Sequence, residues 1–221
     1  MIDYLPSLTE HFDKRAAVYG KDYRSCDYRF KWSFLQRQGL VLKWTRRLTD
    51  QKILDVGCGP GILTEFLASR NFLVGLDLSS KMLLLAKESL RPVQGEGDSL
   101  PFQSESFDAA LAIETLQHVQ KPLPFLKELS RVTRPGGSLI LTALNQKSLL
   151  HRTLLRSGLL KHSHFFHPLE EVCNLLNDEN LRIQEIRFLG FPFPVTWRVV
   201  RGSFAFSSLA ASWAIRLEKN R

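Results

Sequence analysis

Between residues 52 and 144, short apolar runs alternate with helical stretches, and this order leaves the chain few folds to choose from. The runs are KILDVG (52–57), FLVGLDL (72–78), a shorter PVQGEG (92–97), FDAALAI (107–113) and SLILTAL (138–144). They are nearly continuous in apolar character, as strands buried on both faces of a parallel sheet are. The stretches between them read as helices. ILTEFLASR gathers Ile62, Leu63, Phe66 and Leu67 on one face, SKMLLLAKESL follows the second run, and LPFLKELSRVT is expected to end at Pro135-Gly136-Gly137. Parallel strands joined through helices require right-handed crossovers. An α/β fold follows: an open sheet with helices on both faces.

The flanks read differently. Residues 1–50 have helical composition and carry Phe12, Tyr19, Tyr23, Tyr28, Phe30, Trp32 and Phe34. They are expected to form an N-terminal helical cap over the ligand-binding edge of the sheet, one compact unit with residues 51–221. After residue 146 come helical segments and then PLEEVCNLLNDE, whose Pro168 suits a first helical turn. LRIQEIRFLGF reads as a strand. ASWAIRLEK sets Trp213, Ile215 and Leu217 against polar neighbours, a period of two that also favours a strand.

The composition, 44% apolar and 24% charged over 221 residues, excludes a disordered chain, a collagen-like repeat and a disulfide-stapled miniprotein. Cys26, Cys58 and Cys173 are odd in number and widely spaced, so neither a metal knuckle nor a disulfide framework is expected and a cytoplasmic protein is the simpler reading. The start lacks a basic segment followed by an apolar run, so no secretory signal is expected. The longest uncharged stretch near the end, residues 202–215, is 14 residues and over half Ser, Gly or Ala. A bilayer span needs roughly 20 apolar residues. The net charge of +8 sits on the flanks: residues 1–50 hold 10 basic and 6 acidic side chains, residues 51–145 hold 9 and 10, and residues 146–221 hold 11 and 6. Basic flanks attract nucleic acid, anionic lipid or an acidic small molecule, and equally serve solubility.

The strongest local signal is Asp55-Val56-Gly57-Cys58-Gly59-Pro60-Gly61, between a strand and a helix. Glycines there permit a tight turn and let a ligand approach the backbone. A dinucleotide fingerprint places its third glycine at i+5, but here it stands at i+4 and position 62 is Ile. The Gly-Lys-Ser/Thr ending of a phosphate loop is also absent. The loop suits a nucleoside ligand without a pyrophosphate; a purely structural turn is the alternative. Asp77 closes the second strand 20 residues beyond Gly57; in adenosine-binding α/β folds a carboxylate there accepts hydrogen bonds from ribose hydroxyls, and a helix N-cap is the weaker alternative. Ser79 and Ser80 already offer a helix cap there. Asp98, in Gly97-Asp98-Ser99-Leu100-Pro101-Phe102, is placed either to take an adenine amino hydrogen or to serve as a turn aspartate.

ILDVGCGPG, GLDLSSKML, GDSLPF, SFDAALAIETLQHV and ELSRVTRPGG, in this order, resemble the class I S-adenosylmethionine (SAM)-dependent methyltransferases. Within them the chain is similar to the small-molecule group that includes the ubiquinone/menaquinone C-methyltransferases. The match covers roughly residues 50–145. It implies a Rossmann-like, seven-stranded, mostly parallel sheet with an antiparallel last strand, SAM as cofactor and S-adenosylhomocysteine (SAH) as product. By position it implies that Asp55, Gly57, Cys58, Gly59, Pro60 and Gly61 surround the methionine part, with Asp77 and Leu78 at the ribose. Asp98, Ser99 and Leu100 then lie around the adenine.

The acceptor side carries less information. Glu114 and His118 follow the fourth strand, where the acceptor approaches the methyl group, and are the candidate catalytic residues. An unperturbed imidazole titrates near neutrality, so His118 is either the base or a helix-end residue with no chemistry. His162, His164 and His167 lie in HSHFFHPLEE with Phe165 and Phe166, which reads as a pocket-lining loop rather than a metal site. Tyr19 and Tyr23 either lie over the methionine end or pack. The expected activity is methyl transfer to an O or C nucleophile of a small, partly apolar acceptor. An RNA-nucleoside methyltransferase and a non-catalytic SAM-binding partner are the alternatives. No RNA-binding module is apparent, so a nucleic-acid partner is not expected, while contact with a membrane surface stays open.

Overall fold

The structure, a computed structural model, describes residues 4–25, 28–86, 90–145, 147–156, 165, 167–177, 179–189 and 210–220. Its strands are β1 (Lys52–Val56), β2 (Phe72–Asp77), β3 (Arg91–Gln94), β4 (Phe107–Ile113), β5 (Thr133–Leu144), β6 (Leu181–Leu189) and β7 (Ser212–Lys219). Its helices are α1 (Tyr4–Ser25), α2 (Tyr28–Thr45), α3 (Ser80–Leu83), α4 (Pro122–Val132), α5 (Leu149–Arg156) and α6 (Leu169–Asn177). The seven strands form one sheet in the order β3-β2-β1-β4-β5-β7-β6. Pairing is parallel from β3 through β5, and β7 runs antiparallel to both β5 and β6. The α/β architecture with an antiparallel last strand is as expected.

The apolar runs are continuous because both faces are covered. Leu54, Val56, Ala110, Leu139 and Leu141 face one core, with Phe125, Leu126, Leu129 and Val132 of α4 and Leu169, Val172 and Leu176 of α6. Ile53, Leu73, Leu111 and Ile140 face the other, with Val41 and Trp44 of α2. Of the two cap helices, α1 brings Leu8 and Phe12 to the sheet edge, and α2 reaches it through Arg37. The Val41/Trp44 stripe draws α2 onto the sheet face, where the Trp44 indole N–H donates to Glu185 of β6 at 2.8 Å.

Three local expectations change. The stretch after the glycine turn holds a short 3-10 segment, Glu65–Ser69, in place of an α-helix. The turn leads directly into it: Thr64 and Glu65 both donate backbone N–H bonds to the Gly61 carbonyl. The helix expected from Ser80 to Leu90 is described only as α3, and residues 87–89 lie outside the described residues. Pro135-Gly136-Gly137 does not terminate α4. The helix stops at Val132, and the three residues form a bulge inside β5, whose pairing with β4 steps from Phe107↔Thr133 to Ala109↔Ser138. Gly136 has φ +74°, and a Cβ on Gly137 would lie 2.8 Å from the Arg134 carbonyl oxygen.

Lys219 of β7 closes the carboxyl end of α4. Its side chain is only 13% exposed, and the ammonium donates to the carbonyls of Ser130 at 3.0 Å and Thr133 at 2.8 Å. A cation there satisfies acceptors that the helix leaves open and opposes its dipole. Lys219→Met is expected to destabilise the fold by about 1–2 kcal/mol. Thermal unfolding should show Tm lowered by about 2–8 °C; an unchanged Tm would remove this cap from the account.

Candidate active site

Strand order reverses between β1 and β4, since β1 leads outward to β2 on one side while β4 begins the other half of the sheet. Ligands of open α/β sheets bind at such a point, beyond the carboxyl ends of the strands. A cleft of about 490 Å³ lies there.

The glycine turn forms its floor. The N–H groups of Gly57 and Cys58 both donate to the Leu76 carbonyl, at 2.7 and 3.1 Å, hooking the turn onto the end of β2. Gly57 has φ +72°, and a Cβ on it would stand 2.4 Å from the Thr115 Oγ1 and Cγ2 atoms. Thr115 is itself fixed by donating to the Val56 carbonyl at 2.9 Å. Gly59, at φ +53°, faces open space.

Asp77 ties the turn to the next strand and helix. One of its carboxylate oxygens accepts the Gly59 N–H at 2.8 Å and the other the Ser79 N–H at 2.9 Å. Ser79 caps α3 by accepting the Met82 N–H, and its hydroxyl donates to Asp13 of α1 at 2.5 Å. Burial raises the Asp77 pKa above the usual carboxylate range, opposed by the Ser79 and Gly59 hydrogen bonds, with the Asp13 charge adding to the rise. Asp55 is buried and accepts the Thr64 hydroxyl hydrogen at 2.6 Å. Its pKa is pushed up to about 7, chiefly by burial. Burial likewise drives the Cys58 thiol well upward, so it stays protonated at neutral pH.

Beyond β3 the cleft is lined by Gly95, Glu96, Gly97 and Asp98. Helix α4 holds this loop. Glu128 accepts the Leu100 N–H at 2.7 Å, and Arg131, paired to Glu128, donates to the carbonyls of Leu100 and Phe102 at 3.1 and 2.8 Å. Leu100 is thereby sunk into the core and Ser99 is exposed; neither lines the cleft, and nor does Gly61. Cys58, Pro60 and Leu78 do.

The opposite wall begins at Glu114, a non-glycine residue at φ +58°. Backbone strain of this kind persists where surrounding contacts over-determine it. The Glu114 carboxylate accepts from the Thr142 hydroxyl at 3.2 Å and the Gln117 amide at 3.3 Å, and Arg37 of α2 lies 3.6 Å away. His118 ends the 3-10 turn Leu116–His118 and packs edge-to-face on Phe12 of α1, with centroids 5.0 Å apart. Leu8, Phe12 and Ile113 make this wall partly apolar. Arg37 is the cleft residue that sequence reasoning missed; its signal is a cation four and seven residues before Val41 and Trp44, on the buried stripe of α2. Thr64 and Thr115 were also missed.

His167 is buried away from the cleft lining. The side chains of Tyr19 and Tyr23, together with His162, His164 and Phe166, lie outside the described residues. Among the described residues, no cluster of three His, Cys, Asp or Glu side chains is placed to hold a metal ion, and no helix is long and apolar enough to cross a membrane.

The raised Asp55 pKa has a stability consequence. Between about pH 4 and about pH 7 the folded protein keeps a proton that the unfolded chain has released. The associated stability is full below about pH 4 and lost as pH rises to about 7. Asp55→Asn, which keeps an acceptor for Thr64, should flatten this fall in urea titrations run from about pH 5 to about pH 7.5. Equal slopes in the two proteins would show that Asp55 does not titrate in this window.

The chain matches the family described as a methyltransferase domain over residues 54–141. It is 30% identical over 196 residues to the mitochondrial ubiquinone biosynthesis O-methyltransferase of Schizosaccharomyces pombe, covering 77% of this chain and 70% of that protein. Identity to the ubiquinone biosynthesis O-methyltransferase of Aliivibrio fischeri (strain MJ11) is 31% over 174 residues, or 70% of this chain and 74% of the relative. The magnesium protoporphyrin IX methyltransferase of Synechocystis, solved with bound SAH, shares the fold with a TM-score of 0.73 at 17% identity, covering 99% of this chain and 100% of that one. With its glycine turn and acidic strand ends at the switch point of such a sheet, and relatives of this similarity over most of its length, the chain belongs to the class I SAM-dependent methyltransferases.

Proposed function

We propose that the protein transfers the SAM methyl group to a hydroxyl oxygen, or less favourably a carbon, of a small and partly apolar acceptor. The observation that carries this reading is the Asp77–Gly59 bond beside open cleft space. It fixes an acidic strand end and a glycine with no Cβ around one volume. The residues fit SAM in kind. Asp55, Asp77 and Asp98 stand on the β1–β3 side, where a cationic, hydroxyl-bearing ligand finds acceptors, and Arg37 offers a planar fork for a carboxylate.

In this reading Asp77 holds the ribose hydroxyls with Leu78 beside it, since each carboxylate oxygen keeps a lone pair beyond its backbone N–H. Asp98 takes the adenine amino hydrogen, and Ser99 and Leu100 act by shaping its loop. Asp55 and the turn from Gly57 through Cys58, Gly59 and Pro60 to Gly61 border the methionine part, whose carboxylate Arg37 binds. Glu114, engaged by Thr142 and Gln117, orients Arg37 at the catalytic end of the cleft. SAM supplies a methyl group already activated on a sulfonium, so the chain's remaining tasks are alignment and proton removal. His118 takes the acceptor hydroxyl proton, with Phe12 and Leu8 excluding water.

O-methylation is favoured over C-methylation because both ubiquinone-biosynthesis relatives are O-methyltransferases by name. Residues 1–50 are read as part of the same unit as residues 51–221, supported by the burial of Val41 and Trp44 against the sheet. A cytoplasmic setting is supported by the free thiols of Cys58 and Cys173.

Calorimetry is expected to give micromolar SAH binding, about 7–9 kcal/mol. Asp77→Ala should weaken it at least ~10-fold, which is ~1.4 kcal/mol. Gly59→Val should abolish it, since it fills the open space and strains a left-handed residue by about 1–2 kcal/mol. Normal SAH binding by either variant would overturn the cofactor assignment. Incubating cell extract with methyl-labelled SAM should place label in the small-molecule fraction, with label in RNA the overturning result. His118→Gln should slow that transfer ~10²- to 10⁴-fold and spare SAH affinity.

A further inference from the structure

The backbone on each side of His118 is held by a segment from outside the sheet. A one-turn 3-10 helix leaves its outward carbonyls without partners of its own. Here those of Gln117 and of the capping Val119 are taken from just ahead of α6: the Phe165 N–H donates to the Gln117 carbonyl at 2.7 Å, and His167 Nε2 donates to the Val119 carbonyl at 2.8 Å. Because the acceptor is a carbonyl, the proton of that bond sits on Nε2. His167 is only 9% exposed, so water is poorly placed to replace it. Within the turn, His118 N–H donates to the Thr115 carbonyl and Val119 N–H to that of Leu116, while Phe12 bears on the imidazole from α1. Val119 itself lines the cleft.

We infer that His167 is a positioning residue: through the Val119 carbonyl it fixes the turn that aims the His118 imidazole into the cleft. The inference rests on the reading of His118 as the proton acceptor, and it assigns control of that group to the insertion after β5. Such control matters because a misplacement of about 1 Å at a reacting group costs ~100-fold in rate. A histidine that merely filled the core would be replaceable by leucine. One that positions must keep its donor.

The test follows the His118 imidazole by NMR in the full chain saturated with SAH. Histidine carries a ¹³C label at Cε1, and the His118 signal is assigned with His118→Gln. His167→Gln places an amide nitrogen where Nε2 stood, whereas His167→Leu keeps bulk without a donor. The glutamine variant should leave the His118 resonance in place. The leucine variant should shift and broaden it and speed hydrogen exchange at Val119, with SAH affinity unchanged in both. A leucine variant with the wild-type resonance, or a glutamine variant displaced as far as leucine, would overturn the proposal. If the leucine variant does not bind SAH, His167→Asn makes the same comparison, because its shorter amide falls short of Val119. The resonance reads positioning alone. Full methyl transfer by His118→Gln would instead strike the base assignment, so the two failures are distinct.

Discussion

The carboxylate of Asp77 is the joint on which the site depends. Its two oxygens accept one N–H from the glycine turn after β1 and one from the cap of α3, so two separate connections are held at one strand end. Ser79 extends the joint to Asp13, bringing α1 into the same hydrogen-bonded chain. Phe12, the neighbour of Asp13, meets His118 on the far side of the cleft. One helix therefore touches both the acidic cradle and the histidine wall. Burial makes the joint costly to charge, and the backbone donors offset that cost.

The cleft is divided by the order of the strands. Acidic residues stand at the carboxyl ends of β1 and β2 and after β3, while Arg37, Glu114 and His118 gather on the β4 side with residues of α1. The Asp77 charge adds to the burial that raises the Asp55 pKa, and the Asp13 charge does the same for Asp77, so a cationic ligand beside these carboxylates gains by relieving that repulsion. The opposing wall mixes apolar surface with one guanidinium and one imidazole. The sheet needs no special sequence to produce this division: the reversal of order at β1/β4 separates the strand ends.

What the sequence reveals tracks how local each interaction is. Strands β1, β2, β4 and β5 announce themselves because burial on both faces demands unbroken apolar runs, and β7 because Trp213, Ile215 and Leu217 alternate. The spacing of Gly57, Gly59 and Gly61 gives the turn, and Asp77 its place at a strand end. Contacts between distant segments leave no such trace. Thr115 packs on Gly57 only because β1 and β4 are neighbours, and the Thr64–Asp55 bond exists only because the following segment winds as a 3-10 turn. Pro135-Gly136-Gly137 carries the residues of a helix stop, yet tertiary pairing with β4 makes it a bulge. His167 stands in a histidine-rich stretch that suggests a pocket, and its actual partner is a backbone carbonyl 48 residues away.

The insertion of β7 between β5 and β6 bears on how the molecule is made. The final strand of the sheet occupies an interior position, paired along its length on both sides. Until residue 219 has left the ribosome, β5 presents a long apolar edge with nothing to pair against, and β6 has no route into the sheet. Unpaired edges of this kind recruit other chains. Folding must therefore finish after synthesis has passed this strand, by closing contacts between residues 138–144 and 212–218, a separation that makes nucleation there slow. A nascent chain halted inside residues 190–211 would hold most of the cofactor half of the fold and still be a candidate for chaperone capture.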